Sequence, residues 1–271
     1  MSKEVIHGLT AHRIHLPNGD SVLVAEQGAQ VLSWVCGGRE RLYLSEGNAF
    51  DGQVALRGGV PVCFPQFNMR GNLPKHGFVR NMAWTLLPED SASRLTFELK
   101  DSAATQQIWP VCFEVRLTVD LSPNNLRISL DVHNTGHEDW AFTGALHTYF
   151  AVDNIQSVSL DGLGGQAEWD SLTDVHASGQ ESIRFDGEFD RVYAAPKSMC
   201  LRDGDHALHI TQSPNWANTV VWNPGALKVL GDMPQGDFAK MLCVEAAQVF
   251  EPITVGSGQR WQGWQHLQVQ A

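Results

Sequence analysis

The sequence predicts an all-β protein, a large antiparallel β-sandwich with few short helices. Short runs with β-branched residues or alternating polarity occur along the whole chain. Gly, Pro, Asn and Asp separate these runs, a pattern typical of antiparallel sheets rather than of βαβ units. No Ser/Gly-rich linker or change of composition divides the chain, so residues 1–271 are predicted to form a single domain.

Each predicted strand has either period-2 alternation or a β-branched centre, and both features suit a half-buried sheet. In chain order the predicted strands are SVLVAE (21–26), RLTFELK (94–100), VCFEVRLTVDL (111–121), LRISLDVHN (126–134), HALHITQ (206–212), NTVVWN (218–223) and MLCVEAAQVF (241–250). The segment SPNN (122–125) lies between two of these strands, and its Pro and paired Asn suit a tight connection. Residues 111–134 are therefore predicted to form a long hairpin.

Composition narrows the class of partner. Lys and Arg number 19 against 30 Asp and Glu, a formal charge of -11, which argues against nucleic acid or an anionic membrane as the partner. The five cysteines are widely spread and include no CxxC pair, so they are predicted to be reduced, mostly buried thiols. The first residues lack the apolar stretch of a secretory signal, and no run approaches the ~20 apolar residues of a membrane span. We expect a cytoplasmic, monomeric protein.

Two neighbouring segments gather cations in this acidic chain. In ALRGGVPVCFPQFN (55–68), Arg57 precedes a Gly-Gly pair and an apolar segment that Pro61 and Pro65 interrupt, which predicts a rigid, irregular ridge. In LPKHGFVR (73–80), a lysine, a histidine and an arginine follow closely on one another. If the two segments fold side by side, their cations converge into a site for phosphate or carboxylate. Taken singly, each cation is equally well explained as a solvated surface charge.

Candidates for acid-base chemistry occur later in the chain. His147 lies in TGALHTYFAVDNI between an apolar run and two aromatic residues, and Glu245 lies among apolar neighbours in MLCVEAAQVF. A carboxylate on a buried strand is costly without a partner, and proton transfer needs a donor and an acceptor, which we expect on opposite sides of one substrate. A core histidine and a structural glutamate are the alternatives. Asp190, in the acidic segment FDGEFDRVY, is a weaker candidate.

Other chemistries lack a motif. The sequence contains no GxSxG elbow, no GK[ST] phosphate loop and no HExxH pair, so serine hydrolase, nucleotide hydrolase and zincin readings have no support. Two histidine pairs, His206 with His209 and His133 with His137, lack further ligands at suitable spacing, so no metal site is predicted. Nine tryptophans suit sugar stacking, although most are expected to pack in the core.

The motifs RGGVPVCFPQF, LPKHGFVRNMAW, GALHTYF, DRVY, VVWNPG and MLCVEAAQV occur in this order. In this combination the chain resembles the hexose-6-phosphate mutarotase branch of the aldose 1-epimerase family, from about residue 55 to 250. The resemblance implies a galactose mutarotase-like β-sandwich, a single aldose 1-epimerase-like domain and no cofactor. It also implies interconversion of the α and β anomers of an aldohexose 6-phosphate.

The resemblance also assigns roles to residues of the quoted motifs. His147 corresponds to the general acid and Glu245 to the general base. His76 corresponds to a ligand of a sugar hydroxyl or the ring oxygen, and Asp190 to a hydroxyl-binding carboxylate. The implied binders of the sugar and its 6-phosphate are Arg57, Arg80 and, as a helper, Lys75.

Two positions depart from the family pattern. Gln66 stands where relatives often carry tryptophan, and Gly225 where an aromatic residue commonly follows Asn-Pro, so the rim of the sugar pocket is expected to differ. Two rival functions stay open on the same fold: a non-catalytic carbohydrate-binding protein, and an epimerase acting on unphosphorylated aldoses.

Overall fold

The computed structural model describes residues 1–270, and antiparallel strands dominate it. The strands are β1 (Ser2–Ile6), β2 (Leu9–His15), β3 (Ser21–Ala25), β4 (Val31–Cys36), β5 (Arg39–Glu40), β6 (Val62–Cys63), β7 (Thr85–Leu86), β8 (Arg94–Lys100), β9 (Phe113–Ser122), β10 (Asn125–Asn134), β11 (Trp140–Leu146), β12 (Tyr149–Ala151), β13 (Ser159–Asp161), β14 (Ala167–Asp170), β15 (Val175–Ser178), β16 (Ser182–Arg184), β17 (Phe189–Ala194), β18 (Met199–Asp203), β19 (His206–Gln212), β20 (Asn218–Asn223), β21 (Met241–Val255) and β22 (Arg260–Val269). One helix, α1 (Ala103–Ile108), and the 3-10 turns Val79–Asn81, Ile155–Ser157 and Asp237–Lys240 complete the described elements. No helix among residues 1–270 is long and apolar enough to cross a membrane.

Two large sheets form the body of the fold. The nine-stranded sheet has the order β16-β13-β18-β19-β22-β10-β9-β8-β7. The eight-stranded sheet has the order β15-β14-β17-β20-β21-β11-β6, with β12 also paired to β21. Apolar side chains from both sheets meet in one core, for example Leu117 of β9 with Val244 of β21 in the same cluster. The predicted antiparallel β-sandwich with little helix is confirmed.

The predicted hairpin at 111–134 is also confirmed. β9 and β10 pair from Ser122 opposite Asn125 to Phe113 opposite Asn134, and Pro123 and Asn124 form the connection. Asn124 has φ +61°, a left-handed conformation that asparagine adopts more readily than most residues. Inward residues of β9 are buried in alternation along most of the strand, as the sequence pattern predicts.

β21 is an interior strand of the eight-stranded sheet, and its position explains how a glutamate reaches the interior. It pairs with β20 on one side and with β11 and β12 on the other. Its first nine residues are all buried, because neighbours cover both edges and both faces. Glu245 lies in the middle of this buried stretch, opposite Val220 of β20.

The ridge at 55–68 and the cation-bearing loop at 73–80 lie side by side, which is the condition that the sequence analysis set for a shared anion site. The amide of Phe78 donates a hydrogen bond of 3.1 Å to the carbonyl of Phe64. Gly77 forms a bridge with the same residue and has φ +71°. A Cβ atom at Gly77 would lie 1.9 Å from the Phe64 carbonyl oxygen, so only glycine permits this approach.

We expect Gly77→Ala to destabilise the protein by more than the cost of a positive φ alone. The matched control is Gly204→Ala, because Gly204 has φ +58° but open space around its Cβ position. The control should lose about 1–2 kcal/mol of unfolding free energy, and Gly77→Ala a further ~1–3 kcal/mol from the clash. Urea denaturation of both variants measures the difference; equal losses would contradict the close approach.

Candidate active site

A cleft of about 480 Å³ opens on the eight-stranded sheet and on the loops at its edge. All seven residues singled out from the sequence line it: Arg57, Lys75, His76, Arg80, His147, Asp190 and Glu245. Arg57 lies on the ridge, and Lys75, His76 and Arg80 lie in the 73–80 loop. Asp190 and Glu245 lie on strands β17 and β21, and His147 lies between β11 and β12. The fold therefore brings together residues that are far apart in the sequence.

His147 and Glu245 form the buried end of the cleft. The Nδ1 atom of His147 lies 3.3 Å from Oε1 of Glu245, but the two groups are not aligned as a hydrogen bond. His147 is 8% exposed and Glu245 is 1% exposed. Nδ1 of His147 and Oε2 of Glu245 have no hydrogen-bond partner, although buried polar atoms are normally paired. Both residues line the cleft, and these two atoms have unused hydrogen-bonding capacity.

The side-by-side arrangement corrects one detail of the sequence analysis. We expected the acid and the base on opposite sides of the substrate, whereas His147 and Glu245 are neighbours. The reason is the antiparallel pairing of β11 with β21, in which Leu146 lies opposite Ala246. His147, which follows Leu146, therefore lies next to Glu245, which precedes Ala246.

Burial controls the protonation of this pair. Burial lowers the pKa of His147 well below its ordinary value, and the positive charges of Arg80 and Arg57 lower it further. Burial raises the pKa of Glu245 well above its ordinary value, helped by the negative charge of Asp190. Both shifts favour the uncharged form, since a charge in this dry environment is poorly solvated. The cleft thus favours a neutral imidazole beside a protonated carboxyl group.

His76 presents one ring nitrogen to the protein and the other to the cleft. Its Nδ1 atom accepts a hydrogen bond of 3.3 Å from the amide of Asn68 and lies 3.2 Å from Sγ of Cys63. Burial, and then the charges of Arg80, Lys75 and Arg57, lower the pKa of His76 to about 3. The ring is therefore neutral, and with Nδ1 as acceptor the proton is assigned to Nε2. This leaves a hydrogen-bond donor for a ligand oxygen.

Asp190 lies on β17 directly opposite Trp222 of β20. Burial raises its pKa above the ordinary carboxyl value, while a hydrogen bond from Ser171 acts in the opposite direction. The carboxyl group lines the cleft together with Ser171. It offers oxygen atoms of the kind that bind hydroxyl groups.

The three predicted cations share the cleft but differ in how they are held. Nε of Arg57 pairs with Oδ1 of Asp232 at 2.7 Å, and Nη1 donates to the hydroxyl of Tyr149 at 3.2 Å. Nη2 of Arg80 donates to the carbonyl of Lys75 at 3.0 Å, and its buried Nε has no partner. Lys75 itself is exposed. Arg57 is thus pre-oriented, while Arg80 retains unused donors for an anion.

Sequence reasoning missed several residues of the cleft. The ring of Tyr149 stacks on that of His147 at 4.7 Å with an angle of 9°, and Trp222 approaches both rings edge-on. Tyr149 was part of the quoted LHTYF motif and could have been found there. Asp232 and Lys228 lie in an irregular loop without a period or motif, so nothing in the sequence pointed to them.

Of the nine tryptophans, Trp169 and Trp222 line the cleft, which confirms that most serve as packing. Gln66 does not line the cleft. It is buried, and its side chain bonds to the backbone of Asn68 and Leu73, so it holds the base of the cation-bearing loop. Gly225 is likewise absent from the lining and packs against the backbone of Glu188. The expected change of the pocket rim is therefore not at these two positions.

Neither of the two histidine pairs, His206 with His209 and His133 with His137, belongs to a cluster of three possible ligand groups in the described part of the chain. Among residues 1–270, the one cluster of three suitable ligand groups consists of His147, Cys243 and Glu245, whose ligating atoms all lie within 4.8 Å of one another. All five cysteines are free, and four of them are buried while Cys112 is exposed. The expected reduced thiols are confirmed.

The β-sandwich has the fold of solved galactose mutarotase-like proteins, and its cleft, with an imidazole, carboxyl groups and aromatic rings, fits a sugar-ring isomerase. The sequence model of the family described as aldose 1-epimerase matches residues 12–268. The chain belongs to the aldose 1-epimerase family and is an isomerase.

Relatives in this family are similar along most of their length. A protein of Escherichia coli K12, provisionally named glucose-6-phosphate 1-epimerase, is 38% identical over 244 residues, which are 84% of this chain and 79% of that protein. A protein of Cenchrus ciliaris with the same provisional name is 35% identical over 254 residues, 87% of this chain and 77% of that protein. A crystal structure from Salmonella typhimurium, provisionally called a mutarotase, has a TM-score of 0.90 and 32% identity, and covers 99% of this chain and 92% of that one.

Proposed function

We propose that the protein interconverts the α and β anomers of an aldohexose 6-phosphate, with glucose 6-phosphate as the substrate we would test first. The observation that carries the proposal is the position of His147 and Glu245, 3.3 Å apart at the buried end of a cleft that also holds Arg57 and Arg80. The acid-base pair His147 and Glu245 is proposed to contact the sugar ring, and Arg57 and Arg80 are proposed to contact the phosphate group in the same cleft. The provisional names of the relatives point to the same substrate class.

In the proposed reaction Glu245 is the base and His147 the acid. Glu245 accepts the proton of the C1 hydroxyl while His147 donates a proton to the ring oxygen O5. The C1–O5 bond then breaks, and the sugar opens to an aldehyde. Rotation about C1–C2 turns the other face of the carbonyl toward O5, and closure with the proton transfers reversed gives the opposite anomer. Because O5 and the C1 hydroxyl share one carbon, two adjacent protein groups can reach both oxygens.

The proton count explains why this pair suits both halves of the reaction. One dissociable proton is shared: the pair is either imidazolium with carboxylate or imidazole with carboxylic acid. Ring opening converts the first state into the second, and closure restores the first. Burial favours the uncharged state, which is the state that accompanies the open-chain aldehyde. The closed sugar therefore reacts from the charged pair, which is the less favoured state in this buried site, and ring opening converts that pair into the favoured uncharged state.

Other residues of the cleft are assigned to binding. The Nε2 proton of His76 and the carboxyl group of Asp190 are proposed ligands of sugar oxygens. Arg57 and Arg80, with Lys75 as a helper, are proposed ligands of the 6-phosphate, because guanidinium groups match phosphate oxygens in pairs. Tyr149 contacts both the acid-base pair and the cations. Its ring stacks on that of His147, and its hydroxyl accepts a hydrogen bond from Arg57.

The pair should give a bell-shaped pH dependence of kcat/KM. At low pH His147 takes up a second proton and no acceptor remains; its lowered pKa places this limb below about pH 6.5. At high pH Glu245 loses the shared proton and no donor remains; its raised pKa places this limb well above about pH 4.3. Initial rates across the pH range measure both limbs. The acid limb should persist with free α-glucose; a limb caused by the phosphate group itself, whose second pKa is about 6, would vanish.

Polarimetry of freshly dissolved α-glucose 6-phosphate tests the function directly. We expect the protein to speed the approach to anomeric equilibrium far beyond the rate in buffer. A protein that binds the sugar without acceleration would instead be a carbohydrate-binding protein, and the proposal would fail.

We further propose that residues 1–271 form one aldose 1-epimerase-like domain, since the family match spans residues 12–268 and both large sheets share one core. The last residue, Ala271, lies outside the described residues. The cytoplasmic location and the monomeric state stay predictions.

A further inference from the structure

We propose that Cys243, His147 and Glu245 together form an inhibitory site for a thiophilic divalent cation of the zinc type. The ligands are Sγ of Cys243, Nδ1 of His147 and a carboxylate oxygen of Glu245. The inhibitory consequence rests on the proposed function, because the cation occupies the acid and the base of that reaction. The binding of the cation does not depend on the proposed function.

Cys243 is placed for this role by the strand that carries Glu245. The two residues are separated by one position on β21, so their side chains emerge on the same face of the sheet. The backbone of Cys243 pairs with Tyr149 on one side and Trp222 on the other, both of which border the cleft. Cys243 is fully buried, and the proposed epimerase reaction gives its thiol no task.

The spacing of the ligand atoms suits a small cation. Nδ1 of His147 and Oε1 of Glu245 are 3.3 Å apart, and all three ligating atoms lie within 4.8 Å of one another. Zinc bonds of about 2.0–2.3 Å at tetrahedral angles place ligand atoms roughly 3.3–3.8 Å apart. The imidazole and the carboxylate already meet this spacing, and a sulfur shift of about 1 Å completes it. His147 and Glu245 line the cleft, so a cation and a fourth, water ligand enter from that side.

The hydrogen bonding of the site points to a ligand as well. Nδ1 of His147 and Oε2 of Glu245 are buried and lack partners among the described residues. Unpaired buried polar atoms are rare and costly, so a bound cation relieves a cost that the free site carries. These atoms belong to two of the three proposed ligands.

Charge balance decides which cation fits. Binding releases the thiol proton of Cys243 and the carboxyl proton of Glu245 to solvent, so two negative ligands neutralise a divalent cation and no net charge is buried. Arg57 and Arg80 share the cleft and repel any cation, so strong bonds to thiolate are needed. The site should therefore prefer Zn²⁺, Cd²⁺ or Co²⁺ over Mg²⁺ or Ca²⁺, which favour oxygen ligands.

Cobalt titration of the full-length protein tests the site without measuring activity. The exposed thiol is first removed by Cys112→Ser, and Co²⁺ is then added in a buffer free of phosphate. We expect a thiolate-to-cobalt charge-transfer band and its loss in the additional variants Cys243→Ala and Cys243→Ser. The matched control is Cys63→Ala, which removes another buried thiol beside the cleft and should retain the band. Absence of the band in the parent, or its persistence without Cys243, would overturn the proposal.

The inhibitory effect is tested separately by polarimetry at buffered concentrations of free Zn²⁺. Inhibition should be competitive with glucose 6-phosphate and should weaken by more than about 100-fold in Cys243→Ala, since even outer-shell changes cost about 10–100-fold in metal affinity. Equal inhibition of both proteins would contradict the site. If the protein shows the cobalt band but does not accelerate anomer conversion without metal, the cation site stands and the proposed function fails. If it accelerates conversion but shows no cobalt band, the proposed function stands and the cation site fails.

Discussion

Replacement of Glu245 by Gln is expected to lower kcat for anomer conversion of glucose 6-phosphate by about 10²–10⁴-fold, the usual contribution of a positioned acid or base. The amide preserves shape and hydrogen bonding but neither accepts nor returns the proton of the C1 hydroxyl. Because the cations of the cleft are untouched, KM should change little. Polarimetry gives both constants. Glu251→Gln is the matched control, since this exposed residue lies on the same strand outside the cleft, and it should leave the rate unchanged.

The same substitution should stabilise the protein at neutral pH. The folded-state pKa of Glu245 is raised above the value of about 4.3 in an unfolded chain. Between these two pKa values the unfolded chain binds fewer protons than the folded protein, so the stability of the wild type falls as the pH rises through this window. Gln does not titrate, and its advantage in melting temperature should grow from about pH 4 toward neutral pH. A constant difference across pH would mean that the carboxyl group is not protonated in the fold.

Arg80→Ala is expected to raise KM for glucose 6-phosphate by about 10-fold to 150-fold, with a smaller effect on kcat. Hydrogen bonds to charged groups contribute about 1.5–3 kcal/mol, and each 1.4 kcal/mol corresponds to a factor of about ten. Arg80 lines the cleft, and its side chain makes one hydrogen bond among the described residues, from Nη2 to the carbonyl of Lys75, so its other guanidinium hydrogens remain for a phosphate. Arg202→Ala removes an exposed arginine on β18 of the other sheet and serves as the control.

Free glucose sharpens the test of Arg80. The wild type and Arg80→Ala should have nearly the same kcat/KM for free glucose, because this sugar carries no phosphate to bind. An equal loss for both sugars would mean that Arg80 acts on the fold or on the ring rather than on the 6-phosphate. Equal specificity constants of the wild type for both sugars would favour the epimerase for unphosphorylated aldoses.

The strands were predictable because their signals are local. Alternation in RLTFELK matches β8 at both ends, and Pro with paired Asn marks the turn between β9 and β10. Glu245 was also detectable, since a carboxylate among apolar strand residues is costly without a purpose. Its neighbour His147 could be proposed but not placed, because only the pairing of β11 with β21 makes the two side chains adjacent.

Other parts of the site have no local signal. Asp232 orients Arg57 from an irregular loop, and which loop reaches the cleft depends on the packing of the whole sandwich. Cys243 appeared in the sequence as one more apolar strand residue, and its approach to His147 is a property of three neighbouring strands. The expected rim positions Gln66 and Gly225 turned inward for the same reason: the sequence names a residue, but the tertiary fold decides which way it faces.

The contact between Phe64 and Gly77 joins the ridge and the cation-bearing loop into one unit that is separate from β21. Changes to the cations of that unit can therefore alter the preference for charged or uncharged sugars, and they also act on the pKa of His147 through the charges of Arg57 and Arg80. The backbone at the contact is fixed, because no side chain fits at Gly77. Exchange of a cation in this unit therefore leaves the contact of Phe64 with Gly77, and with it the path of the loop, in place.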